Sequence, residues 1–264
     1  MRILHLTSHV NVGGITTYVV QLSEALARRG HQVVVASGGG ALAWRCERNG
    51  LVHWEVPLLT SAEFSPQVAW AGWQVSRRLR AHPVDLIHAH TRVAQVVADR
   101  LSRRHRIPYV TTWHGFYRRR LSRRWWPCTG MRTIAISQPV ADHLRTVFDV
   151  PASRIHLIPH GVDVARFAAP APAADIQALR ARLALDHVGP VIGTVARLVP
   201  SKGLDQLLAA FRHVAAQAPS ARLLIVGDGP QRAGLEQVAQ RLGIQRAVRF
   251  AGTLPDTPLF SPNR

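Results

Sequence analysis

The sequence is poor in acidic residues, in lysine and in cysteine. Its 264 residues carry 33 basic side chains against 15 acidic ones, a formal net charge of +18, and Lys202 is the only lysine. Such an excess of arginine favours an anionic partner, with nucleic acid, an acidic membrane surface and a phosphorylated substrate all open on charge alone. Two cysteines, Cys46 and Cys128, make neither a disulfide framework nor a metal cluster. We therefore expect a reducing, cytoplasmic setting.

Long apolar runs and several familiar motifs are also missing. No apolar run approaches the roughly 20 residues of a membrane span, and Met1 to Leu6 reads directly into a strand without a signal-peptide pattern. The P-loop motif, the GxSxG nucleophile motif, the GxGxxG dinucleotide fingerprint and paired zinc motifs are absent. The 47% hydrophobic content is enough for a core. The sequence therefore predicts a soluble globular protein outside those classes.

Short apolar strands alternate with helical patterns from end to end, which is typical of parallel α/β architecture. The predicted strands of the first half are Arg2 to Leu6, Gln32 to Ala36, Val52 to Val56, Leu86 to Ala89, Tyr109 to Thr112, Thr133 to Ile136 and Ile155 to Ile158. A stretch rich in Pro and Ala, Pro159 to Asp175, then interrupts the pattern. We predict a first domain at 1–165, a linker at 166–175 and a second domain at 176–264, which is short for a doubly wound fold.

The stretch from Gly189 to Val214 has the pattern of a diphosphate site. A β-branched run, Val191 to Val195, predicts a strand covered on both faces, and an amphipathic helix pattern follows. Between them lie Arg197 and Lys202, directly before Gly203. A helix N-terminus offers free N–H groups and a positive dipole end to an anion, and two cations beside it add to the attraction.

Two glycine-containing turns join predicted strands to predicted helices. Gly13 and Gly14 follow the first strand, and Gly227 and Gly229 follow the strand Arg222 to Val226. Glycine lets a ligand approach the backbone at the carboxyl edge of a parallel sheet, where phosphates and sugars bind. For Gly13 and Gly14 the plain alternative is a tight turn without a ligand, and for Gly227 and Gly229 the residues alone indicate only a tight turn.

Histidines end two neighbouring predicted strands. His88 and His90 close the fourth strand and His114 follows the fifth, so His90 and His114 are expected to meet at one sheet edge. Alternate histidines also resemble zinc-ligand spacing, but no carboxylate or cysteine lies nearby in sequence, so no metal is expected. We interpret His88 as a packed core residue and His114 as the functional candidate.

The segment Phe116 to Pro127 mixes five arginines with aromatic side chains. Its Arg118 to Trp126 part suits an anionic membrane surface, through cations combined with interfacial aromatics. Single-stranded nucleic acid is a second partner of similar chemistry. The third interpretation is a solvated basic loop whose tryptophans pack inward.

Taken together, these motifs resemble glycosyltransferase family 4, the retaining sugar-nucleotide-dependent enzymes of the GT-B fold. That fold has two Rossmann-like doubly wound domains facing a cleft, and here the second would be incomplete. The resemblance covers essentially the whole chain and lies in five elements, which are Val12 to Gly14, His114 with Gly115, Ile158 to Asp163, Gly193 to Arg197 with Lys202 and Gly203, and Val226 to Pro230. The third of these departs from the family, which usually has Asn where this chain has His160.

The resemblance implies the roles of the site residues. Gly13 and Gly14 would lie near the donor phosphates and the acceptor, His114 would line the sugar site, and Arg197 with Lys202 would clamp the diphosphate as catalytic cations. Gly227 and Gly229 would form the nucleotide-side turn. The substrate would be a nucleotide-sugar such as a UDP- or GDP-sugar, with no further cofactor and no metal. Two glutamates that the family carries in a later strand and helix are expected to lie beyond this chain.

The leading hypothesis is a cytoplasmic transferase that moves a sugar, with retention, to a membrane-linked or cell-envelope glycan or lipid acceptor. Residues Arg118 to Trp126 would hold it peripherally on the inner face of the cytoplasmic membrane. The alternatives are a truncated, inactive glycosyltransferase fragment and a sugar-nucleotide epimerase of the same fold. A nucleic-acid binder is the least favoured.

Overall fold

The computed structural model describes residues 1–48, 50–168, 172–185 and 189–254. The chain divides into two compact units, Met1–Gly161 and Val162–Arg264. Residues 169–171 of the predicted linker lie outside the described residues. The domain boundaries proposed from composition therefore remain predictions.

The first unit is a seven-stranded parallel sheet. Its strands are β1 (Arg2–Leu6), β2 (Gln32–Ser37), β3 (Val52–Glu55), β4 (Leu86–Ala89), β5 (Tyr109–Trp113), β6 (Arg132–Ala135) and β7 (Ile155–Leu157). Six helices connect them, α1 (Gly14–Arg28), α2 (Ala43–Arg48), α3 (Pro66–Ala81), α4 (Arg92–His105), α5 (Leu121–Trp125) and α6 (Gln138–Val147). The order is β3-β2-β1-β4-β5-β6-β7, which reverses beside β1 as in doubly wound folds. The α/β prediction is confirmed.

Strand alternation gives the first sheet two differently built faces. Leu4 and Leu6 of β1 point into the main core, where they are buried with side chains of α3 and α4 such as Val75 and Val97. On the opposite face, Val33 and Val35 of β2 pack against Val19 and Val20 of α1. His5, between the two leucines, shares the face of α1 and is fully buried there. The sheet therefore has helices on both faces and a polar patch beneath α1.

The second unit is a three-stranded parallel sheet within its described residues. Its elements are α7 (Val164–Ala168), α8 (Ala173–Arg182), β8 (Val191–Val195), α9 (Leu204–Gln217), β9 (Arg222–Val226), α10 (Arg232–Arg241) and β10 (Val248–Gly252). The strand order is β10-β9-β8. Leu208 and Phe211 of α9 pack with Leu223 and Ile225 of β9 and with Leu235 of α10. The predicted apolar stripe of α9 therefore does lie on the sheet.

The expectation that β8 is covered on both faces is wrong for the described structure. β8 pairs with β9 along one side, and it is the edge strand of its sheet. Ile192 is 37% exposed and Val195 is 51% exposed. A β-branched run fits a buried strand and an edge strand alike, so the composition of β8 could not distinguish them.

Candidate functional site

The carboxyl ends of β1, β4 and β5 lie side by side, because β4 pairs in parallel register with both of the others. Ligands of open α/β sheets bind at this edge. His90 directly follows β4 and His114 directly follows β5, and His114 Nε2 lies 3.5 Å from His90 Nδ1. The sequence-based prediction that these two histidines meet is confirmed.

His5 is a member of the same cluster that the sequence did not reveal. It is the register partner of His88 across β1 and β4, and its Nδ1 lies 2.9 Å from His90 Nε2. The only signal in the sequence is a histidine between two leucines in a strand. The pairing joins residues more than 80 positions apart, so local pattern cannot show it.

His88 is the packed core residue that its pattern indicated. Its Nε2 lies 2.7 Å from the hydroxyl oxygen of Thr112, and both side chains are buried. Its ring centroid is 4.1 Å from that of His90 and 5.0 Å from that of His5. His88 therefore lines the cluster while making its hydrogen bond elsewhere.

His160 and Tyr18 complete the outer end of the site. His114 Nδ1 lies 3.2 Å from Nε2 of the exposed His160. Tyr18, from α1, stacks on His160 with ring centroids 4.5 Å apart and meets His114 edge-on at 5.1 Å. No pattern in the sequence points to Tyr18, because its contacts depend on how α1 packs against the sheet.

Burial keeps these imidazoles neutral. It lowers the pKa of His5 to about 4, and it lowers the pKa of His88 and of His90 well below the ordinary value. Burial, with a smaller contribution from His160, lowers the pKa of His114 to about 4. At pH 7 the cluster therefore offers hydrogen-bond donors and acceptors rather than positive charge.

Three of these histidines are also close enough to share an ion. One ring nitrogen each of His5, His88 and His90 lie within 4.8 Å of one another, and all three residues are buried. Neutral imidazole is a common metal ligand. In this structure the contact between His5 and His90 is a direct ring-to-ring hydrogen bond, which engages one ring nitrogen of each residue.

The glycines after β1 leave open space above the start of α1. Gly14 is the first residue of α1, and Gly13 precedes it in an extended conformation. A Cβ added at either position would meet nothing within 4 Å. Neither glycine is therefore needed for packing within the described chain, and their predicted contact with a ligand stays a prediction.

Arg197 and Lys202 flank a short turn between β8 and α9. Pro200–Lys202 form a 3₁₀ turn, and Gly203 adopts a left-handed conformation with φ +60° before α9 begins at Leu204. Both cationic side chains are exposed, and no hydrogen bond or ion pair engages either one in the part of the chain that the structure describes. Two exposed cations, unengaged within the described residues, therefore lie in the segment that joins β8 to the 14-residue helix α9, and their contact with a diphosphate stays a prediction.

Gly227 and Gly229 have a packing role. A Cβ at Gly227 would lie 2.0 Å from the carbonyl oxygen of Ala196, and one at Gly229 would lie 2.5 Å from that of Leu198. The two loops also share backbone hydrogen bonds, including Leu198 N–H to the Asp228 carbonyl at 3.0 Å. The glycines therefore let the loop after β9 pack against the loop that carries Arg197. Their predicted contact with a ligand remains untested.

The basic aromatic segment divides into an inward and an outward part. Trp126 packs inward, where its indole N–H donates to Asp99 at 2.8 Å and its ring stacks near Phe64. The outward side chains are Trp125, 81% exposed, Leu121, 73% exposed, and Phe116, 65% exposed. The inward-packing interpretation thus holds for Trp126 and is wrong for Trp125.

Arg92 fixes the base of this segment. Its guanidinium forms an ion pair with Glu63 and donates to the carbonyl oxygens of Trp126 and Pro127 at 2.9 and 3.1 Å. The exposed side chains of α5 therefore project from an anchored loop. No helix in the described residues is both long and apolar enough to cross a bilayer.

Family models match both units in sequence order. The model of Glycosyltransferase Family 4 matches residues 12–166, more than half of the chain. The chain belongs to glycosyltransferase family 4. The model described as Glycosyl transferases group 1 matches residues 175–260.

Two relatives match this family 4 chain over most of its length, and a third matches less than half of it. It is 29% identical over 300 residues to a D-inositol 3-phosphate glycosyltransferase of Frankia alni, an alignment that covers 94% of this chain and 69% of the relative. For the same enzyme of Segniliparus rotundus the identity is 28%, with 94% and 62% covered. The chain thus spans about two thirds of the length of these relatives. A GDP-mannose-dependent monoacylated phosphatidylinositol monomannoside mannosyltransferase of Corynebacterium glutamicum is 40% identical over 119 residues, 45% of this chain and 30% of the relative.

Solved structures show the same fold. A glycosyltransferase from Rickettsia africae superposes with a TM-score of 0.81 at 19% identity, covering 98% of this chain and 70% of the other. HepE from Anabaena, solved with UDP and glucose, also gives 0.81, at 24% identity with 98% and 71% covered. The family 4 chain therefore has the GT-B type of α/β fold, with a small sheet in its second unit.

Proposed function

We propose that this chain takes part in transferring a sugar from a nucleoside diphosphate donor, such as a UDP- or GDP-sugar, to a membrane-linked or cell-envelope acceptor. The observation that carries the proposal is the match of both units, in order, to glycosyltransferase family models. The names of two relatives support the donor class, since one uses GDP-mannose and another was solved with UDP and glucose.

Arg197 and Lys202 are the proposed diphosphate ligands. Glycosyl transfer builds negative charge on the departing diphosphate, so cations aimed at it stabilise the transition state. Both side chains are exposed and unengaged within the described residues, so neither must leave an internal partner in order to bind. Each charge-assisted contact contributes on the order of 1.5 to 3 kcal/mol.

His114 is the proposed sugar-site residue. It lies at the carboxyl edge of β5 and is neutral at pH 7, so its ring can line the sugar site without adding a charge there. Retention at the anomeric carbon belongs to the proposal through the family. No side chain is assigned as a general base.

The outward face of α5 is the proposed membrane contact. Trp125, Leu121 and Phe116 project among Arg118 to Arg124, which is the combination that binds anionic bilayer surfaces. The phosphatidylinositol-based acceptor named for the Corynebacterium relative supports a lipid acceptor. We expect the chain to bind anionic vesicles, and this binding should weaken as salt is added. Trp125→Ala should reduce the binding, whereas Trp70→Ala, which removes another exposed tryptophan of the first unit, should leave it unchanged.

The donor site is tested by thermal-shift titration with UDP, GDP and their sugars. Binding should stabilise the parent chain by RT ln(1 + [L]/Kd), about 2.7 kcal/mol at a hundredfold excess over Kd. Lys202→Ala should lose most of this stabilisation, whereas Arg212→Ala, which removes an equal charge from the exposed face of α9, should keep it. A cooperative melt that no nucleotide shifts would contradict the donor site. Conversion of the donor sugar without an acceptor would instead favour an epimerase.

A further inference from the structure

Four histidines form a continuous line from the interior of the first unit to its surface. The contacts run from His5 to His90 at 2.9 Å, from His90 to His114 at 3.5 Å and from His114 to His160 at 3.2 Å. In every contact the inner ring uses Nδ1 and the outer ring uses Nε2. The four rings therefore share one orientation along the line.

This shared orientation restricts the protons. A neutral imidazole has one N–H donor and one bare nitrogen acceptor. If one ring carried its proton on Nδ1 and its outer neighbour carried it on Nε2, two N–H groups would face each other, and the reverse pairing would leave two lone pairs facing. All three contacts are hydrogen bonds only when all four rings hold the same tautomer.

The buried end of the line selects between the two uniform arrangements. His5 Nε2 is fully buried and has no hydrogen-bond partner among the described residues. With every proton on Nε2, this atom would be an orphaned N–H donor; with every proton on Nδ1, it is an unused acceptor. Orphaned buried N–H groups are rarer in proteins than under-used acceptors, so the Nδ1–H arrangement is favoured.

We propose that His5, His90, His114 and His160 form a single hydrogen-bonded imidazole chain in which every ring carries its proton on Nδ1. His5 and His90 are then positioning residues, because they hold His114 in one tautomer without reaching the ligand site. The role given to His114 rests on the proposed function, but the tautomers themselves do not.

The groups around the chain are compatible with neutral rings throughout. His88 faces His5 and His90, but its own hydrogen bond goes to Thr112. Tyr18 covers the outer rings, and burial raises the pKa of its hydroxyl while a hydrogen bond with Thr112 opposes that rise. Tyr18 is therefore neutral at pH 7, as are the imidazoles that it contacts.

The outer end of the imidazole chain presents a hydrogen-bond donor to ligands. With the proton on Nδ1, His160 directs an N–H away from the chain at the exposed sheet edge, where a sugar or phosphate oxygen could accept it. The resemblance places Asn at this position, and an Asn amide oxygen can accept the Nδ1–H of His114. A histidine accepts through Nε2 in the same way and keeps its Nδ1–H as a donor.

Nitrogen NMR of the full chain, labelled with ¹⁵N-histidine and free of ligand at pH 7.5, tests the proposal directly. The expected result is the Nδ1–H tautomer as the dominant form of His5, His90 and His114. A dominant Nε2–H form at any of the three overturns it. Because no donor or acceptor is present, this result is independent of the UDP and GDP titration that tests the proposed function.

Variants at His160 add a readout of coupling along the chain, and this exposed position should tolerate them. His160→Leu removes the acceptor for His114, so the Nδ1–H population should fall at His114 and, because the tautomer is shared, at His90 as well. His160→Asn restores an acceptor and should return both populations to the parent values. An unchanged His90 in the leucine variant overturns the proposal.

Discussion

In both units the first three strands lie in the order third, second, first, but the first strand is buried in one unit and is an edge strand in the other. β1 pairs with β2 on one side and β4 on the other, and Leu4, His5 and Leu6 are fully buried. β8 pairs with β9 as an edge strand, and Ile192 and Val195 are exposed. The buried strand contains a histidine, whereas the exposed one is almost entirely apolar. Burial is thus decided by neighbouring strands and helices as well as by the composition of the strand itself.

Glycine substitutions should give the largest contrast between the units. Gly227→Ala places a Cβ 2.0 Å from the Ala196 carbonyl oxygen at φ +129°, so we expect a loss of about 4 kcal/mol in the stability of the second unit. Gly13→Ala meets open space in extended backbone and should cost less than about 1 kcal/mol. Urea unfolding followed by circular dichroism measures both. Equal losses would remove the distinction between packing glycines and open ones.

Truncation of the two first strands should give the next largest contrast. Leu4→Ala opens a cavity in the main core and should cost about 3 kcal/mol. Ile192→Ala removes a partly exposed side chain from an edge strand and should cost less than about 1 kcal/mol. Urea unfolding curves of the two variants measure both losses of stability. A large effect at Ile192 would mean that β8 is covered in solution.

Protonation of His5 on acidification should lower the free energy of unfolding of the first unit by less than Leu4→Ala does. His5 has a pKa near 6.5 in the unfolded chain, whereas its pKa in the folded chain is about 4. The contribution of neutral His5 to the free energy of unfolding is therefore fully present above pH 6.5 and is lost as the pH falls toward 4. Between pH 7.5 and pH 5 His5 alone should cost about 2 kcal/mol. All seven tryptophans lie within Met1–Gly161, so their fluorescence follows the first unit selectively. His88, His90 and His114 also have lowered pKa values, so His5→Gln should reduce this dependence without abolishing it. An unaltered slope in that variant would contradict the assignment.

The fold could be predicted further than the site. Hydrophobic periodicity and β-branched runs predicted the strands of the first unit to within about a residue of their observed ends, because those signals are local. The imidazole chain from His5 to His160 depends on strand pairing and on the placement of α1, which are set by contacts between residues far apart in sequence. Only the contact between His90 and His114, which follow two consecutive strands, could be predicted from the sequence. The predicted ligand contact of Gly227 and Gly229 stays a prediction, and their packing role could not be predicted because the backbone that fills the space beside them belongs to a different loop.

The isolation of Lys202 has a consequence for chemical labelling. An amine-reactive reagent has two targets in this sequence, the α-amino group of Met1 and the exposed Lys202 side chain. A lysine-specific protease likewise has a single cleavage site, directly before Gly203. Acylation of the Lys202 side chain, or cleavage after it, therefore reports on the turn between β8 and α9 without any engineered tag.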